Sequence, residues 1–371
     1  MQLLQAERDA LLKPLATVTG IVERRNTLPI LANVLIRKEG DALSFTGTDL
    51  EIQIASSQRE GFSNNSGNDF AITVAAKKFS DILRAIPDKT VVTLDEDDGR
   101  LTIKAGKSRF NLQTLPAADF PTLAVDTNLR ATVRMPQGQL KALLGRAQFA
   151  MAHQDIRYYL NGLFMVTEGN LLKLVATDGH RLAFASAELA TSFDKNEVIL
   201  PRKTILELYK LLADVDDEVA IDIAGNQVKF SFGSIVIHSK VVDGKFPDYN
   251  RVIPQNNDKL LTIDRAQLLA AMQRAAILSN EKFRGVRVVL TSGSLKILCN
   301  NNEQEEAQEE LEVAYQGEPL DIGFNIQYLL DVLTNMQVEN LQFAFGDVNS
   351  SVLVTLPDNA NFKYIVMPMR I

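Results

Sequence analysis

The sequence predicts an α+β fold made of three tandem repeats. Three amphipathic segments, which begin at Glu7, Pro136 and Asp264, can be aligned with one another, and their starts are 129 and 128 residues apart. After each segment, a polar loop leads into two alternating, β-branched runs that are typical of hairpins. A second short helix and further strands complete each third of the chain. Helices segregated on one face of antiparallel sheets define the α+β class.

The six predicted helices form two sets of three. In the first set, Leu11, Leu140 and Leu268 occupy equivalent positions and are predicted to face the core. The second set comprises the segments VAAKKFSDILRAIPD, LPRKTILELYKLLAD and GFNIQYLLDVLTNMQ. The tripeptides EGD, EGN and SGS are predicted to form the turns of the three hairpins. Six similar units indicate a closed or curved array in which all the helices face one way.

The repeats predict three domains of similar size, each made of two helix-plus-antiparallel-sheet halves. Their predicted limits are residues 1–125, 130–254 and 255–371. Polar and turn-forming residues at Leu123–Ala131 and Ile253–Lys259 are typical of linkers between such domains.

The composition is that of an ordinary globular protein and excludes several classes. Of the 371 residues, 46% are hydrophobic and 23% charged, with a net charge of −7 and a pI near 5.2. The single cysteine, Cys299, excludes an intrachain disulfide, and three histidines are too few for a thiolate-rich zinc site, so we expect no cofactor. No run approaches the ~18 apolar residues of a membrane span, and Met1–Ala10 lacks signal-peptide features. We therefore expect a cytoplasmic protein with no membrane partner.

Charge is divided unevenly between the predicted helices and the rest of the chain. Six windows that contain the helices hold 17 basic and 9 acidic residues, a net charge of +8, whereas the remainder carries −15. A basic helix face on an acidic protein would attract a polyanion at one surface and repel it elsewhere. The alternative, that Lys and Arg occur there as good helix formers, stays open at this point.

Signatures of catalysis are sparse. The phosphate-binding motifs GxxxxGK[ST] and GxGxxG and the GxSxG elbow do not occur. The best candidate is TDGHR at 177–181, in which Asp178 and His180 could supply a general base. The first repeat has Asp49 in an equivalent place, and no second acid–base partner is identifiable. We therefore interpret Asp49 and Asp178 as turn residues that bind local backbone amides.

Two further segments have unusual compositions. Residues 303–310 (EQEEAQEE) hold five acids in eight positions. This run fits either a solvated edge strand protected by its charges or a surface that meets Lys104, Lys107 and Arg109 of another copy. The C-terminal YIVMPMRI (364–371) is typical of a last core strand, although methionines also favour adaptable binding surfaces.

Several long blocks carry a resemblance to one family. They are TLPIL (27–31), TLPAADFP (114–121), FAMAHQDIRYYLNG (149–162), ATDGHRL (176–182), AAILSNEKFRGV (275–286) and the terminal VMPMRI. With them, the chain resembles the bacterial sliding clamps, the β subunits of DNA polymerase III, from about Leu11 to Ile371. The resemblance implies a non-catalytic processivity factor, in which two copies join head to tail in a ring whose helices line a hole for double-stranded DNA.

The resemblance also implies residues for DNA binding and for dimer formation. The residues implied for DNA are Arg25, Lys77, Gln154, Tyr158 and Tyr159. Lys77 stands where the family commonly has Arg, which keeps the charge but loses the bidentate fork. The implied homodimer interface brings Lys78, Phe110 and Leu112 of one copy against Ile277 and Leu278 of the other.

A groove for partner peptides is implied as well. Such peptides contain a Gln followed by residues such as Leu-Phe, and the polymerase catalytic subunit, the clamp loader and other replication and repair proteins carry them. The matching residues are Leu160, Thr177, Gly179, His180, Arg181, Leu182, Pro247, Arg251, Val252, Asn325, Tyr328, Ser351, Val366, Met367, Pro368, Met369 and Arg370. Apolar side chains with a few polar groups suit a pocket that anchors a peptide.

Two rival hypotheses belong to other classes. A hydrolase that uses Asp178 and His180 would lose turnover in His180→Ala while its fold and peptide binding persist. A monomeric repeat scaffold with no role on DNA would sediment only as a 41.1 kDa species.

Overall fold

The fold is described from a computed structural model of the chain. The structure describes residues 1–23, 27–64, 67–357 and 359–370. This part of the chain divides into two compact units, of which the first comprises Met1–Gly138 and Leu206–Val241 and the second comprises Gln139–Ile205 and Val242–Ile371. The boundary between the units passes through two helices, α3 (Gln137–Ala147) and α4 (Arg202–Leu211).

The first unit is built on a 13-stranded antiparallel sheet. Its helices are α1 (Arg8–Thr19) and α2 (Ala76–Ala85). With strands numbered along the whole chain, it contains β1 (Gln2–Glu7), β2 (Asn33–Glu39), β3 (Ala42–Thr48), β4 (Ile52–Gln58), β5 (Phe62–Ser63), β6 (Phe70–Ala75), β7 (Val91–Asp97), β8 (Arg100–Ala105), β9 (Ser108–Leu115), β10 (Ala131–Pro136), β13 (Glu218–Ile223), β14 (Gln227–Phe232) and β15 (Ile235–Lys240). The spatial order is β10-β13-β14-β15-β4-β3-β2-β6-β9-β8-β7-β1-β5.

The second unit holds two antiparallel sheets and the helices α5 (Arg265–Ala276) and α6 (Ile326–Asn335). Its strands are β11 (Gly162–Thr177), β12 (Arg181–Pro201), β16 (Lys259–Asp264), β17 (Gly285–Thr291), β18 (Ser294–Asn300), β19 (Glu306–Glu312), β20 (Leu320–Asn325), β21 (Asn340–Phe345), β22 (Val352–Leu356) and β23 (Asn359–Val366). One sheet has the order β11-β12-β23-β22-β21-β16 and the other β19-β18-β17-β20.

Within each unit, strands of two different repeats pair with each other. In the first unit, β15 of the central repeat pairs with β4 of the first repeat, with Ile237 opposite Ile54. In the second unit, β12 of the central repeat pairs with β23 of the third, with Leu182 opposite Ile365. Each half of the central repeat is therefore joined by backbone hydrogen bonds to a different neighbouring repeat.

All six predicted helices are confirmed within the described residues. Leu11, Leu140 and Leu268 are 0%, 1% and 2% exposed, so the equivalent positions of the three repeats do face the core. The helix α5 begins where the Asp264 side chain accepts a hydrogen bond from the Gln267 amide at 2.7 Å, a common N-cap. In each of α1, α2, α5 and α6, a strand leads directly into the helix.

Two of the predicted hairpin turns are confirmed as chain reversals. Gly40 and Gly293 have φ angles of 58° and 76° and lie in the turns between β2 and β3 and between β17 and β18. Glycine adopts these positive angles without the penalty that a Cβ atom would bring.

The third predicted turn, around Gly169, lies inside β11. Gly169 has a φ of 58°, and the register between β11 and β12 shifts at this residue. Phe164 and Val175 belong to one buried cluster, although a straight strand would separate them by about 36 Å. The chain of β11 therefore folds back near Gly169.

Candidate functional site

A five-residue turn, Thr177–Arg181, joins β11 to β12 in the second unit. The Asp178 carboxylate accepts hydrogen bonds from the amides of His180 at 2.9 Å and Arg181 at 3.1 Å. The Thr177 hydroxyl accepts a bond from the Gly179 amide at 3.1 Å and donates to the Arg181 carbonyl at 2.6 Å. Gly179 has a φ of 90°. The carboxylate thus serves the turn, and Asp178 makes no hydrogen bond to the His180 side chain.

The first repeat contains the same turn at Thr48–Ile52. The Asp49 carboxylate accepts from the amides of Glu51 at 2.9 Å and Ile52 at 2.8 Å. The Thr48 hydroxyl accepts from the Leu50 amide at 3.1 Å and donates to the Ile52 carbonyl at 3.0 Å. The interpretation of Asp49 and Asp178 as turn residues is confirmed.

Arg181 is the centre of a partly buried polar network. Its guanidinium contacts the carboxylates of Asp178, at 3.1 Å, and Asp331, and donates to the Phe149 carbonyl at 2.9 Å. It also stacks over the Tyr328 ring, 4.6 Å from the centroid. Burial alone would lower the pKa of Arg181, but the Asp331 and Tyr364 side chains hold that pKa above its usual value. Arg181 therefore stays charged, and its side chain links β12 to α6.

Tyr364 is a buried member of this network. It is 0% exposed, and burial raises the pKa of its phenol. Its hydroxyl donates to the Tyr328 carbonyl at 2.9 Å and accepts from Arg181 at 3.4 Å, while its ring packs on Phe149 with centroids 5.3 Å apart. A buried phenol needs such partners, so the position of Arg181 and that of Tyr328 are linked.

The C-terminal segment lies beside this network. After β23, the Met367 amide donates to the His180 carbonyl at 2.9 Å, and the Met369 amide donates to the Gly323 carbonyl at 2.7 Å. These two bonds hold residues 367–369 against the Thr177–Arg181 turn and against β20. Met367 is 40% exposed, whereas methionine is usually buried.

Most of the residues predicted for the peptide groove are brought together in the second unit. Leu160 and Leu182 share a buried cluster with Phe246, the neighbour of Pro247. The His180 and Tyr328 rings are stacked with centroids 6.5 Å apart. Val366 pairs with Arg181 on one side and with Val352, the neighbour of Ser351, on the other. We define the candidate groove as this surface, with the residues Leu160, Thr177, Gly179, His180, Arg181, Leu182, Pro247, Asn325, Tyr328, Ser351 and Val366–Met369.

Three predicted groove residues lie at the edge of this surface. Arg251 and Val252 belong to a short helical turn, and Arg251 forms an ion pair with Asp248 at 3.0 Å. Arg370 is exposed beyond the last strand. The next residue of that turn, Ile253, packs against the buried cluster under the groove.

A surface loop between Met151 and Leu160 carries three residues predicted to bind DNA. Gln154 is exposed and has a φ of 57°, and the rings of Tyr158 and Tyr159 meet edge to face with centroids 6.0 Å apart. Tyr158 is 58% exposed. Lys77 is exposed on the first turn of α2 in the other unit, and Arg25 lies outside the described residues.

Arg157 ties this loop to the Thr177–Arg181 turn. It holds the Asp155 carboxylate through two bonds, of 3.0 Å and 2.8 Å, and donates to the Asp178 carbonyl at 3.2 Å. The hydrogen bonds from Arg157 lower the pKa of Asp155 to about 2. The Arg157 guanidinium therefore bonds to both the loop and the turn.

The residues predicted for the dimer interface are at surfaces. Lys78 is exposed on α2, and Phe110 and Leu112 are half-buried on β9. In the second unit, Ile277 is 77% exposed and Leu278 is half-buried after α5.

The basic and acidic segments that the sequence suggested as mutual partners also have contacts inside their own units. Lys104 pairs with Asp95 at 2.7 Å, and Arg274 pairs with Glu309 at 2.5 Å. Lys107, Arg109 and most of the glutamates of the 303–310 run have no ion pair in the described part of the chain.

Sequence reasoning did not find the partners of Arg181 and Arg157. Asp331 and Tyr364 are 150 and 183 residues from Arg181 along the chain. A signal existed for Asp331, because it is the single charged residue of α6 (IQYLLDVLTN). An acid on an otherwise uncharged helix, partly buried, predicts a cation nearby.

The described residues contain no metal-binding cluster and no membrane-spanning helix. Within residues 1–23, 27–64, 67–357 and 359–370, no group of three or more His, Cys, Asp or Glu side chains is arranged to hold a metal ion. No helix in those ranges combines the length and the apolar character that crossing a bilayer requires.

Comparisons with known proteins agree along the whole chain. Models of the DNA polymerase III beta subunit match residues 1–124 as the N-terminal domain, 134–248 as the central domain and 250–370 as the C-terminal domain. The beta sliding clamp of Pseudomonas aeruginosa is 48% identical over 98% of this chain and 99% of its own length, and that of Escherichia coli is 45% identical over the same shares.

Solved structures give the same result. A crystal structure of the DNA polymerase III subunit beta from Pseudomonas aeruginosa aligns over 100% of both chains with a TM-score of 0.94 and 48% identity. A sliding clamp of the same organism bound to griselimycin aligns over 100% of both chains with a TM-score of 0.93 and 46% identity. The chain therefore belongs to the DNA polymerase III beta subunit family, the non-catalytic sliding clamps.

Proposed function

We propose that this chain forms a head-to-tail homodimeric ring that encloses double-stranded DNA and tethers the replicative polymerase to it. The observation that carries the proposal is the match of three consecutive beta-subunit domains over residues 1–370. We assign the domains to residues 1–125, 130–254 and 255–371, and the site of action to the cytoplasm. The ring confers processivity by enclosure and catalyses no reaction.

Contacts with DNA in this proposal are weak and independent of sequence. Arg25, Lys77, Gln154, Tyr158 and Tyr159 meet the backbone, since phosphate contacts position a protein without reading bases. The net charge of −7 suits such a ring, because enclosure replaces strong attraction over the whole surface. A ring with a weakly basic lining can then slide along the DNA.

Two free strand edges support the proposed dimer. Residues 108–113 of β9 pair with β8 on one side and have no strand on the other among the described residues. The strand β19, with its glutamates, likewise pairs only with β18 in the described part of the chain. Pairing the edge that carries Arg109 with the edge that carries Glu306 and Glu310 would satisfy both backbones and bring opposite charges together. Lys78, Phe110 and Leu112 would then approach Ile277 and Leu278 of the other copy.

The groove is proposed to bind peptides of the polymerase catalytic subunit, the clamp loader and other replication and repair proteins. Its apolar floor of Leu160 and Leu182 suits a Leu-Phe pair, and His180, Asn325 and Ser351 can bind the polar residue that precedes it. The two backbone bonds that hold Met367 and Met369 make the C-terminal segment a wall of the groove.

Topological retention tests the ring. The protein should stay on nicked circular DNA after a high-salt wash and leave when the circle is cut, because a ring slides off a free end. A matched circle that is never cut is the control. Equal retention on cut and uncut DNA would refute enclosure.

Removal of Met367–Ile371 tests the groove. A fluorescent peptide with a Gln and a Leu-Phe pair should lose at least about tenfold in affinity, since the truncation removes one wall of the pocket. Sedimentation should show the same dimer as for the full chain, which serves as the control. Unchanged affinity would place peptide binding elsewhere.

A further inference from the structure

The floor of the candidate groove continues beyond Leu182. Leu182 of β12 lies opposite Ile365 of β23, which belongs to the same buried cluster, and the pair two positions further along is Phe184 with Lys363. Alternate residues of a strand face the same side of a sheet. Phe184 and Lys363 therefore lie on the groove side, about 7 Å from Leu182 and Ile365.

The second pair forms an aromatic patch with a cation at its edge. The Phe184 ring contacts the Tyr249 ring, with centroids 5.9 Å apart, and the Lys363 ammonium lies 5.5 Å from the Phe184 centroid. Tyr249 in turn meets the Phe164 ring edge to face at 6.3 Å. Phe184, Tyr249 and Lys363 are all partly buried, so solvent reaches each of them. We call these three residues the Phe184 patch.

Lys363 differs from the other lysines around the patch. Lys173 pairs with Glu168 at 2.8 Å, and Lys195 pairs with Glu197 at 2.6 Å. Both pairs neutralise their own charges. Lys363 has no ion pair within the described ranges, so the patch presents a net positive charge beside an aromatic surface.

We propose that the Phe184 patch extends the groove and binds an acidic side chain that follows the apolar pair of a partner peptide. The inference rests on the proposed peptide-binding function of the groove. An extended peptide advances about 3.3 Å per residue, so a residue one or two positions beyond a side chain seated over Leu182 reaches the patch. Its methylene groups pack on the Phe184 ring, and its carboxylate meets the Lys363 ammonium, which the ring already holds in place.

Two amidated, fluorescent peptides test the extension on the full chain. Both contain a Gln and a Leu-Phe pair; one ends in Leu-Phe-Glu-Glu and the other in Leu-Phe-Gln-Gln. Amidation removes the terminal carboxylate, so the peptides differ in side-chain charge alone. At low salt, the acidic peptide should bind about threefold more tightly, the size expected of one partly exposed charge pair.

Variants locate the effect. Lys363→Gln should bring the ratio of the two affinities to about one and leave the affinity for the Gln-Gln peptide unchanged. Lys363→Arg should keep the threefold ratio, because it preserves the charge. Lys240→Gln removes a lysine from the other compact unit and is the matched control, which should also keep the ratio.

The outcomes separate this inference from the groove itself. If the Gln-Gln peptide binds but the wild-type ratio is one, or if the ratio survives Lys363→Gln, the extension is wrong and the groove stands. If neither peptide binds the wild-type chain at micromolar concentration, the groove and its extension are both refuted.

Discussion

The turns at Thr48–Ile52 and Thr177–Arg181 have one backbone and two different tasks. In both, a threonine and an aspartate make the same four hydrogen bonds, with lengths that agree within 0.4 Å. The two turns differ in the residues that take no part in this side-chain hydrogen bonding. Ile52 is 1% exposed in the core, whereas Arg181 joins the network of Asp331, Tyr364 and Phe149.

The comparison separates the backbone of the turn from the residues that it carries. The hydrogen-bonding pattern is common to the two repeats and therefore carries no function by itself. At the third, fourth and fifth positions, Leu50, Glu51 and Ile52 of the first turn correspond to Gly179, His180 and Arg181 of the second, which belong to the candidate groove. The two turns therefore share a backbone and differ in the residues that it carries.

Loss of the Arg181 side chain should have the largest effect. Arg181→Ala leaves Asp331 partly buried without its cation, and removing one member of such a pair costs about 3–5 kcal/mol. Ile52→Ala at the matching position should cost about 2–4 kcal/mol through a cavity. Urea unfolding of each variant measures both values.

A double-mutant cycle distinguishes the two mechanisms. Adding Asp331→Asn should recover a good part of the loss in Arg181→Ala, because the uncompensated charge is gone, and should not rescue Ile52→Ala. Equal effects of Asp331→Asn in the two backgrounds would mean that the network does not stabilise the protein.

The third position of the turn should respond differently in the two repeats. Gly179→Ala should cost about 1–2 kcal/mol, because φ is 90° and the new Cβ atom would lie 2.9 Å from the Arg157 guanidinium. Leu50 already has a φ of 78°. Leu50→Gly should change stability by less than about 0.5 kcal/mol, since relief of strain offsets the added chain entropy.

Thermal and urea unfolding of both variants provide the check. Gly179→Ala should also weaken peptide binding, whereas Leu50→Gly should leave it unaltered. A stable Gly179→Ala with normal binding would show that the turn tolerates a Cβ atom and that Arg157 can move.

The aspartates of the two turns should have the same backbone role but different effects on binding. Each accepts two backbone bonds, so Asp49→Ala should cost about 1–2 kcal/mol, and Asp178→Ala should cost at least as much because Asp178 also accepts from the Arg181 guanidinium at 3.1 Å. Only Asp178→Ala should weaken the peptide, because His180 and Arg181 lie in its turn. Paired measurements of unfolding and peptide affinity decide the matter, and weakened binding in Asp49→Ala would contradict the separation.

Local periodicity was enough to predict the elements of the fold. Leu11, Leu140 and Leu268 marked the first helix of each repeat, and Asp49 and Asp178 marked the shared turn. These features depend on residues within a few positions of one another. The resemblance blocks then supplied the groove residues, most of which lie on one surface of the second unit.

Pairing between repeats could not be predicted from the sequence. Nothing in the alternation of β4 or β12 specifies that β15 and β23 are their partners, because any strand edge offers the same backbone groups. The Arg181 network could not be predicted either, because Asp331 and Tyr364 are distant from Arg181 in sequence. The bond from Arg157 to the Asp178 carbonyl was also missed, because an Arg two residues from an Asp is an ordinary surface pattern.

The ion pair between Arg157 and Asp155 gives the smallest predicted effect, which depends on pH. The pKa of Asp155 is lowered to about 2 by the bonds from Arg157, whereas an aspartate in the unfolded chain titrates near ~3.9. A carboxyl whose folded pKa is lowered stabilises the fold at pH values above the unfolded pKa, and this contribution is lost as the pH falls toward the folded pKa. The difference in unfolding free energy between the wild type and Asp155→Asn should therefore be constant above about pH 5 and shrink between about pH 4 and pH 2. A difference for Asp155→Asn that does not change with pH would show that the Asp155 carboxylate is not held by Arg157.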